Sequence, residues 1–426
     1  MTSLFSLTWR SKSLRLWLAA FLLVNLVLIL NVSRGWSPGT VEGSLDAEDV
    51  VCSEFPGADD IMVIMKTGAT EAYRKVPTHF LTTFRCTPHV AIYSDLEQDL
   101  GPYHIYDALA QVDDEIKRTN PDFEHYHKLQ QFKGPDSQWI KEEIWDYQEA
   151  WNLDKWKFLP ILNEAWKTMP DAKWFVFIEA DTYLVWSNLL QWLQQFDPTV
   201  PYYIGCLNYI TDQPFAHGGS GYVLSNAALR IVTEHMVGRT QRYNEMTARE
   251  WAGDFVMAKV LEEVNITLLS SWPSFQGETP SSLDYTRRQY CHPVMTYHHM
   301  SSEDLTSMWH FEQDWIKRNS SPSLMRHGDV FNHLIEPSLS SKILDWDNLS
   351  HDWQPTLSPK HTLEACRAAC QDQPNCIQYL FSPKRCRLGK DIRLGKPQEE
   401  YKRGYVAGWM MERVEEFKKR MEPCTR

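Results

Sequence analysis

Apolar and polar positions alternate along the chain in blocks that predict strands and helices in turn. Unbroken apolar runs at Ile61–Met65, Val90–Tyr93 and Trp174–Ile178 are typical of strands buried on both faces of a sheet. Segments with helical spacing, including Glu71–Thr83 and Trp139–Met169, lie between these runs. This succession of strand and helix predicts an α/β fold with a mixed, mostly parallel sheet flanked by helices.

The alternation continues downstream with shorter elements. Ser187 is predicted to be the N-cap of a helix through Gln195, and Tyr202–Ile204 is predicted to form the next strand. Further helices are predicted at Ser225–His235 and Glu250–Glu263. The α/β pattern therefore extends well beyond the first three strands.

Carboxylates stand at two places in this pattern where a ligand could reach them. Glu179 and Asp181 follow the strand Trp174–Ile178 directly, and ligands of open α/β sheets bind at the carboxyl ends of strands. The alternative is that the two acids cap a solvated turn. Asp254 lies near the start of a predicted helix, where the helix dipole alone would favour an acid.

Glycines and histidines supply further candidates. His217-Gly218-Gly219-Ser220-Gly221 precedes a helix and could let a ligand approach backbone amides, although a plain turn is the default interpretation. It has neither the lysine nor the spacing of a nucleotide-phosphate loop. His298 and His299 lie in the apolar segment Val294–Met300, and successive strand residues face opposite sides. We therefore expect at most one of these histidines in a given site.

The N-terminal segment predicts a membrane anchor. Residues 1–13 carry Arg10 and Lys12 but no acid, and residues 14–31 are almost wholly apolar. Basic residues on that side predict a cytoplasmic tail and a lumenal remainder, with residues 32–55 as a stem. A cleaved signal peptide is the alternative, but no small-x-small cleavage site follows Leu30.

Composition narrows the class of protein and its compartment. The net charge of −12 argues against a nucleic-acid partner. Nine cysteines, four of them within Cys366–Cys386, favour a disulfide-forming compartment. Glycosylation sequons at Asn265, Asn319 and Asn348 agree with a lumenal location. Together these features predict a secretory-pathway protein.

Two motifs in order resemble the fringe-like and core 1 β-1,3-galactosyltransferase branch of family 31 glycosyltransferases, and are closest to its fungal-type members. Trp174–Tyr183 is similar to a family strand that ends in three acids followed by Thr-Tyr. His217–Ser225 is similar to the family segment Gly-Gly-Ala-Gly-Tyr-Val-Leu-Ser. The resemblance covers roughly Ile61 to Trp315.

The resemblance implies a GT-A-like domain over residues 56–335 that transfers a hexose from a UDP-sugar, with inversion, to a glycan or glycoprotein acceptor, through a β-1,3 linkage. It implies Mn²⁺ as cofactor, with Asp181 and His298 as ligands, and Asp254 as the catalytic base; Mn²⁺ accepts mixed carboxylate and imidazole ligands. The residues implied to bind the donor are Thr67, Gly68, Asp95, Trp156, Lys157, Glu179, Asp181, Gly218 and Gly219.

One departure from the family pattern leaves two other functions open. The middle acid of the triplet is Ala180, and the first is Glu179 rather than Asp. A lectin-like protein with a decayed transferase fold would explain Ala180. A glycosidase could use Glu179 and Asp181 as its acid pair.

The C-terminal residues 340–426 resemble a PAN/apple-like α+β module. The resemblance implies the pairing Cys366–Cys386 around Cys370–Cys376, although four cysteines allow three pairings. A Cys52–Cys86 bridge is also expected. With the anchor, the whole chain is predicted to be a single-pass type II protein of the Golgi membrane.

Overall fold

The structure is a computed structural model that describes residues 50–52, 56–132, 147–318, 323–355, 362–398 and 404–424. The predicted cytoplasmic tail, anchor and most of the stem lie outside these residues. No helix in the described part of the chain combines the length and apolar character that crossing a bilayer requires. From Val51 onward the described residues belong to one unit by their contacts.

The strands are β1 Ile61–Lys66, β2 His89–Ser94, β3 Gln98–Leu100, β4 Tyr103–Asp107, β5 Trp174–Glu179, β6 Tyr183–Leu184, β7 Tyr203–Gly205, β8 Leu207–Ile210, β9 Gln213–Ala216, β10 Tyr222–Ser225, β11 Leu268–Ser270, β12 Thr296–Tyr297, β13 Ile343–Leu344, β14 Trp346–Asp347, β15 Gln378–Ser382, β16 Arg385–Gly389, β17 Lys396–Pro397 and β18 Val406–Trp409. The α-helices are α1 Ala69–Leu81, α2 Asp114–Thr119, α3 Glu124–Leu129, α4 Tyr147–Asp154, α5 Phe158–Thr168, α6 Trp186–Leu193, α7 Asn226–Met236, α8 Thr240–Arg249, α9 Gly253–Glu262, α10 Ser302–Arg318, α11 His327–Val330, α12 Leu363–Asp372 and α13 Met411–Met421.

An eight-stranded sheet organises the larger part of the chain, in the order β11-β7-β10-β5-β1-β2-β4-β3. The central strands β5, β1, β2 and β4 are parallel, and β10 and β3 pair antiparallel with their neighbours. The predicted mixed, mostly parallel α/β sheet is confirmed. Because β1 lies between β2 and β5, the carboxyl ends of these three strands meet at one edge of the sheet.

The apolar runs that predicted the strands form the core. Every residue of β1 is buried, and the β5 side chains Phe175, Val176 and Phe177 are at most 4% exposed. Helix α5 and helix α9 pack against the same cluster through residues such as Leu162 and Val256. Parallel strands that are covered by helices on both faces do not alternate between apolar and polar residues. The unbroken apolar runs therefore identified these strands correctly.

Three predicted elements differ from the structure. The helix predicted at Trp139–Met169 is divided into α4 and α5 over its described part. Ser187 does not cap helix α6, which begins one residue earlier; its backbone N–H donates to the buried Glu312 Oε1 at 2.8 Å. A distant carboxylate supplies the acceptor that was expected from a local side chain. The predicted strand Val294–Met300 shrinks to β12.

The C-terminal residues build a separate four-stranded antiparallel sheet in the order β13-β18-β15-β16, with helix α12 beside it. The predicted pairs Cys366–Cys386 and Cys370–Cys376 are confirmed, and so is Cys52–Cys86. The four clustered cysteines lie in a small buried cluster with Tyr379 and Leu388. The identity of this unit as a PAN/apple-like module stays a prediction.

A fourth disulfide, Cys291–Cys424, joins the residues after the last described helix to the segment before β12. Sequence analysis did not predict this pair, whose members are separated by 133 residues. The ion pair Lys418–Glu336, at 2.5 Å, and a hydrogen bond from the Tyr285 N–H to the Ile392 carbonyl at 3.1 Å hold the same boundary. The C-terminal sheet is therefore fastened to the larger part by covalent and polar contacts.

Two of the glycosylation sequons differ in the exposure of their asparagine. The Asn348 side chain is fully buried, and its amide donates to the Tyr379 carbonyl at 3.1 Å. A buried and hydrogen-bonded amide cannot carry a glycan in the folded protein, so this sequon is excluded as a site there. Asn265 is exposed at the end of helix α9, and Asn319 lies outside the described residues.

Candidate active site

A cleft of about 520 Å³ lies at the sheet edge where β1, β2 and β5 end. The register that pairs Lys66 with Glu179 places the residues after β1 and β5 side by side. The predicted site residues that line the cleft are Gly68, Asp95, Lys157, Glu179, Asp181, Gly219, Asp254 and His298. The structure therefore brings together side chains that are far apart in the sequence.

Asp181, His298 and His299 form a group of potential metal ligands at this edge. Their ligand atoms all lie within 4.8 Å of one another, and Asp181 Oδ1 is 3.3 Å from His298 Nε2. One carboxylate and two imidazoles are a donor set that suits a divalent transition-metal ion. Nδ1 of His298 is buried without a hydrogen-bond partner in the described structure. These residues fit a divalent ion.

The presence of His299 corrects the prediction that only one histidine could face the site. Strand β12 ends at Tyr297, and His299 has a φ of +58°. This left-handed backbone turns the second ring toward the same side as the first, with ring centroids 3.8 Å apart. The alternation rule failed because the strand had already ended. Burial and the charge of His298 lower the pKa of His299, which favours the neutral imidazole that binds metals.

Gly219 gives the His298 ring its room. A Cβ built on Gly219 would overlap three atoms of the His298 imidazole. The Gly219 carbonyl also accepts a hydrogen bond from Thr182 Oγ1 at 2.7 Å, which ties the glycine segment to the turn after β5. Because Gly219 has no side chain, the His298 imidazole can occupy its position among the potential metal ligands.

Asp181 is held in its ionised form. The Lys75 ammonium lies 3.1 Å from Asp181 Oδ2, and His298 lies against the other carboxylate oxygen. Burial opposes ionisation, but the contacts with His298 and Lys75 outweigh it and hold the pKa of Asp181 well below its usual range. An ionised carboxylate is the form that binds a metal.

Ala180 does not remove a ligand from this cluster. Its side chain is 1% exposed and is not part of the cleft lining, and its carbonyl accepts a hydrogen bond from His79 Nε2 at 2.9 Å. Glu179 and Asp181 face the cleft on either side of it. The departure from the family triplet therefore leaves the metal-binding group intact.

A chain of ion pairs, buried at Lys66, Lys157 and Asp95, supports the floor of the cleft. Glu179 pairs with Lys66 at 3.0 Å, and Lys66 pairs with Asp154 at 2.6 Å. Asp154 is 3.3 Å from Lys157, which pairs with Asp95 at 2.9 Å. Burial alone would lower the pKa of Lys157, but the Asp95 and Asp154 carboxylates outweigh it and raise the pKa. Loss of one partner would leave a buried charge uncompensated.

Four predicted donor residues lie in or beside this network. Asp95 Oδ1 accepts the Ala69 N–H at 2.7 Å and so satisfies the first turn of helix α1, just after Gly68. Lys157 Nζ donates to the Thr67 carbonyl at 2.9 Å. Thr67 itself is buried behind the cleft surface. Of this group, Gly68, Asp95 and Lys157 contact the cleft directly.

Besides Thr67, two predicted donor residues lie outside the cleft lining. The Trp156 indole is 2% exposed, donates to Asp122 Oδ2 at 3.0 Å and packs edge-on against Phe123. Gly218 is buried one residue before Gly219, and its N–H donates to Asp254. Trp156 therefore contributes to packing behind the cleft, and Gly218 contributes by holding the Asp254 carboxylate.

Asp254 occupies the first turn of helix α9 and accepts two backbone hydrogen bonds. Its Oδ2 accepts the Gly218 N–H and its Oδ1 accepts the Phe255 N–H, both at 2.8 Å. Burial raises the pKa of Asp254 to about 6, and the two backbone hydrogen bonds limit that rise. A carboxylate with this pKa is ionised at neutral pH and can still accept a proton, as a general base must.

Sequence reasoning missed several charged residues of the site, among them Lys75, Asp154 and His299 of the cleft lining and Lys66, which pairs with Asp154. Lys66 stands next to the motif residue Thr67, and His299 was considered and set aside. Lys75 and Asp154 carry no motif, and they meet Asp181 and Lys66 across 106 and 88 residues of sequence. Only the spatial arrangement identifies these two.

The chain is similar to one family model and to one solved structure. A family model described as Fringe-like matches residues 58–316. Among solved structures, a glycosyltransferase involved in the glycosylation of the major capsid of PBCV-1 matches with 11% identity over 61% of this chain and 100% of that chain, at a TM-score of 0.27. The family match includes the group Asp181, His298 and His299 and the candidate base Asp254.

Proposed function

The chain belongs to the Fringe-like family and is a glycosyltransferase, and from this premise we propose that it transfers a hexose from a UDP-sugar with inversion. The acceptor is a glycan or glycoprotein hydroxyl, and the linkage is β-1,3. The observation that carries the proposal is the presence of a metal-binding group and a separate basic carboxylate in one cleft. The sugar, the nucleotide and the linkage come from the family resemblance.

The metal-binding half of the cleft supports donor binding. Asp181, His298 and His299 would hold Mn²⁺ or a similar divalent ion. When bound, such an ion neutralises the charge that grows on a diphosphate leaving group. Lys75 presents a further positive charge on the cleft wall. Gly68 and Asp95, at the ends of two neighbouring strands, form the surface against which the nucleoside would bind.

The other half supports proton transfer. In the proposed step the acceptor oxygen attacks the anomeric carbon while the bond from that carbon to the phosphate oxygen breaks. The acceptor proton passes to Asp254, whose carboxylate is held by the Gly218 and Phe255 N–H groups. Attack opposite to the leaving group inverts the configuration at the anomeric carbon.

The two other functions lose their support. The lectin-like alternative depended on Ala180, whose side chain does not reach the cleft. A glycosidase needs one protonated carboxyl group. Asp181 is held in its ionised form by His298 and Lys75, which does not suit that role, and Glu179 is paired with Lys66 at 3.0 Å.

We also propose that the protein is a single-pass type II protein of the Golgi membrane. The apolar residues 14–31, with basic residues before them, support the anchor. The four disulfides support an oxidising compartment for the rest. Fluorescence of a tagged chain beside Golgi markers, with protease protection of each terminus, tests this location.

A donor screen tests the proposed activity. The purified full-length chain in detergent is incubated with a panel of UDP-sugars, with Mn²⁺ or with a chelator, and UDP release is measured. We expect one sugar to be turned over, and chelation to abolish its turnover. Absence of turnover with every UDP-sugar would contradict the proposed donor class.

A further inference from the structure

The four-stranded C-terminal sheet carries a pocket of its own. The pocket has a volume of about 310 Å³ and shares no lining residue with the catalytic cleft. The cations Lys384, Arg385 and Arg387 line it, and no acid of the described residues does. Positive charge is therefore concentrated at one place on a chain whose net charge is −12.

The pairing of β15 with β16 accounts for the position of the two arginines. Arg385 lies opposite Ser382, and Arg387 lies opposite Leu380. Residues two apart on a strand point to the same side of a sheet, so both arginines share one face. Cys386, between them, points to the other face and is buried there in the cluster that holds the cysteines of helix α12. The arginines therefore occupy the face that this helix leaves uncovered.

The three cations have no carboxylate partner among the described residues. Lys384, Arg385 and Arg387 form no ion pair there. By contrast, Arg393 of the same C-terminal unit is buried and pairs with Asp284. Charges of one sign that line a pocket build a potential that attracts the opposite sign. An anion that enters the pocket would therefore supply the partner that the protein does not.

The kind of cation indicates the kind of anion. A guanidinium presents its N–H donors in a planar fork that matches two oxygens of one anionic group, whereas an ammonium acts as a point charge. Two arginines and a lysine together can bind the several oxygens of a tetrahedral anion. Arg387 is half-buried, and partial removal from water strengthens its contact with a bound charge. The donor set therefore favours a phosphate or sulfate group.

Apolar and aromatic surface completes the pocket. Leu380 is 2% exposed, Tyr405 is half-buried, and both line the cavity beside the arginines. A bare ion would contact only the cations. The volume also lies near the lower end of the range of roughly 300–1,000 Å³ that is usual for pockets that bind small organic molecules. The pocket thus has room for the carbon skeleton to which an anionic group is attached.

We propose that this pocket binds a phosphate or sulfate ester. The anionic group binds Arg385 and Arg387, and the carbon skeleton that carries it packs against Leu380 and Tyr405. The inference is independent of the proposed transfer reaction, because the pocket uses none of the residues of the catalytic cleft. It assigns to the C-terminal sheet the recognition of a phosphorylated or sulfated molecule.

Calorimetric titration of the full-length chain in detergent tests the proposal. A chelator is present throughout, so that no divalent ion can hold a phosphate in the catalytic cleft. The probes are glucose 6-phosphate, glucose 6-sulfate and unmodified glucose. We expect both esters to bind and glucose to give no measurable heat. The affinity of the esters should fall as sodium chloride is added, because salt screens the contact between charges.

Variants of the two arginines locate the bound ester. Arg387→Gln and Arg385→Gln should each weaken the binding of glucose 6-phosphate at least about tenfold, because each removes a charge-assisted hydrogen-bonded pair. Arg387→Lys keeps the charge but not the fork, so its affinity should lie between those of Arg387→Gln and the wild type. Arg385 is exposed, and its variant decides the matter if loss of the half-buried Arg387 lowers the stability of the fold.

Lys390→Gln is the matched control, because Lys390 is an exposed cation just after β16 that does not line the pocket. Its affinity for glucose 6-phosphate should equal that of the wild type. Wild-type affinity in both arginine variants would overturn the proposal, and so would an equal loss in Lys390→Gln, which would indicate a general effect of charge.

Titration with inorganic phosphate and inorganic sulfate distinguishes an ester from a free ion. We expect both ions to bind more weakly than the esters, because they make no contact with Leu380 and Tyr405. Inorganic ions that bind as tightly as the esters would overturn the assignment to an ester. None of these results depends on whether a UDP-sugar is turned over, so the outcome is separate from that of the donor screen.

Discussion

The pKa values of two carboxylates in the same cleft are shifted in opposite directions. Asp181 lies among Lys75 and two imidazoles, and its pKa is held well below its usual range. Asp254 is buried against backbone N–H groups with no cation in direct contact among the described residues, and its pKa is raised to about 6. Ordinary aspartate has a value near 3.9. One carboxylate is suited to hold a cation and the other to take a proton.

The difference shows how environment, rather than residue type, assigns chemical roles. Pairs of titratable groups whose pKa values are pushed apart mark the division of labour in an active site. Neighbouring positive charge stabilises the ionised form of Asp181, whereas burial destabilises the ionised form of Asp254. The two halves of the cleft can therefore be tested separately.

The largest expected effect comes from removing the base alone. Asp254→Asn keeps the size and one acceptor oxygen but cannot take a proton, so transfer should fall about 10²–10⁴-fold. Mn²⁺ and UDP affinities, measured by calorimetry, should stay close to those of the wild type. Near-normal transfer would show that Asp254 is not the base, and Glu250 and Glu245 would be tested next.

Removing the candidate metal ligands should impair Mn²⁺ binding in the other half of the cleft. Asp181→Ala, His298→Ala and His299→Ala should each weaken Mn²⁺ binding by at least roughly 10- to 100-fold, the range found for outer-shell partners. Electron paramagnetic resonance of free Mn²⁺ measures the affinity. His351→Ala, at an exposed position outside the cleft, is the control. Wild-type affinity in His299→Ala would limit the protein ligands to Asp181 and His298.

The pH profile should report the base. Because Asp254 accepts a proton only when ionised, transfer should be full above its folded pKa of about 6 and be lost as pH falls through that value. Each further pH unit below 6 should lower the rate about tenfold. Measuring kcat/KM at saturating Mn²⁺ between pH 4.5 and 8 checks this, and a flat profile across pH 6 would contradict it.

The smallest effect should separate two adjacent glycines. Gly219→Ala pushes on the His298 ring and should weaken Mn²⁺ binding several-fold, by less than loss of the ring itself. A Cβ on Gly218 would instead lie 3.0 Å from Phe158 and 3.5 Å from Asp254 Oδ2. Gly218→Ala should therefore lower transfer while keeping Mn²⁺ affinity. Identical effects of the two substitutions on both measurements would refute the separation.

The central sheet could be predicted because its strands are buried on both faces. The runs that became β1, β2 and β5 have no polar interruption, and a run of that kind needs no information from elsewhere in the chain. Short strands such as β3 and β6 depend on their partners and were not predicted. Because the ends of these strands could be identified from the sequence, the motif residues that follow them could be placed at one edge of the sheet.

The remainder of the site depends on contacts that no local pattern contains. The N-terminus of helix α6 uses Glu312, which is 125 residues away from Ser187. The direction of the His299 side chain depends on a left-handed φ of +58° beyond the end of β12, which the apolar context gave no reason to expect. The pairing Cys291–Cys424 could not be deduced, because spacing alone does not select among cysteine pairings.

That last disulfide has a consequence for how the chain is made. During synthesis from the N-terminus, Cys291 emerges long before Cys424, and it must wait as a free thiol while the intervening residues are added. Cys206, which has no disulfide partner in the described structure, emerges earlier still and is available for a wrong pairing during that interval. The Cys291–Cys424 bond can therefore form only after almost the whole chain has been synthesised, when the strands of the large sheet are already available to pair.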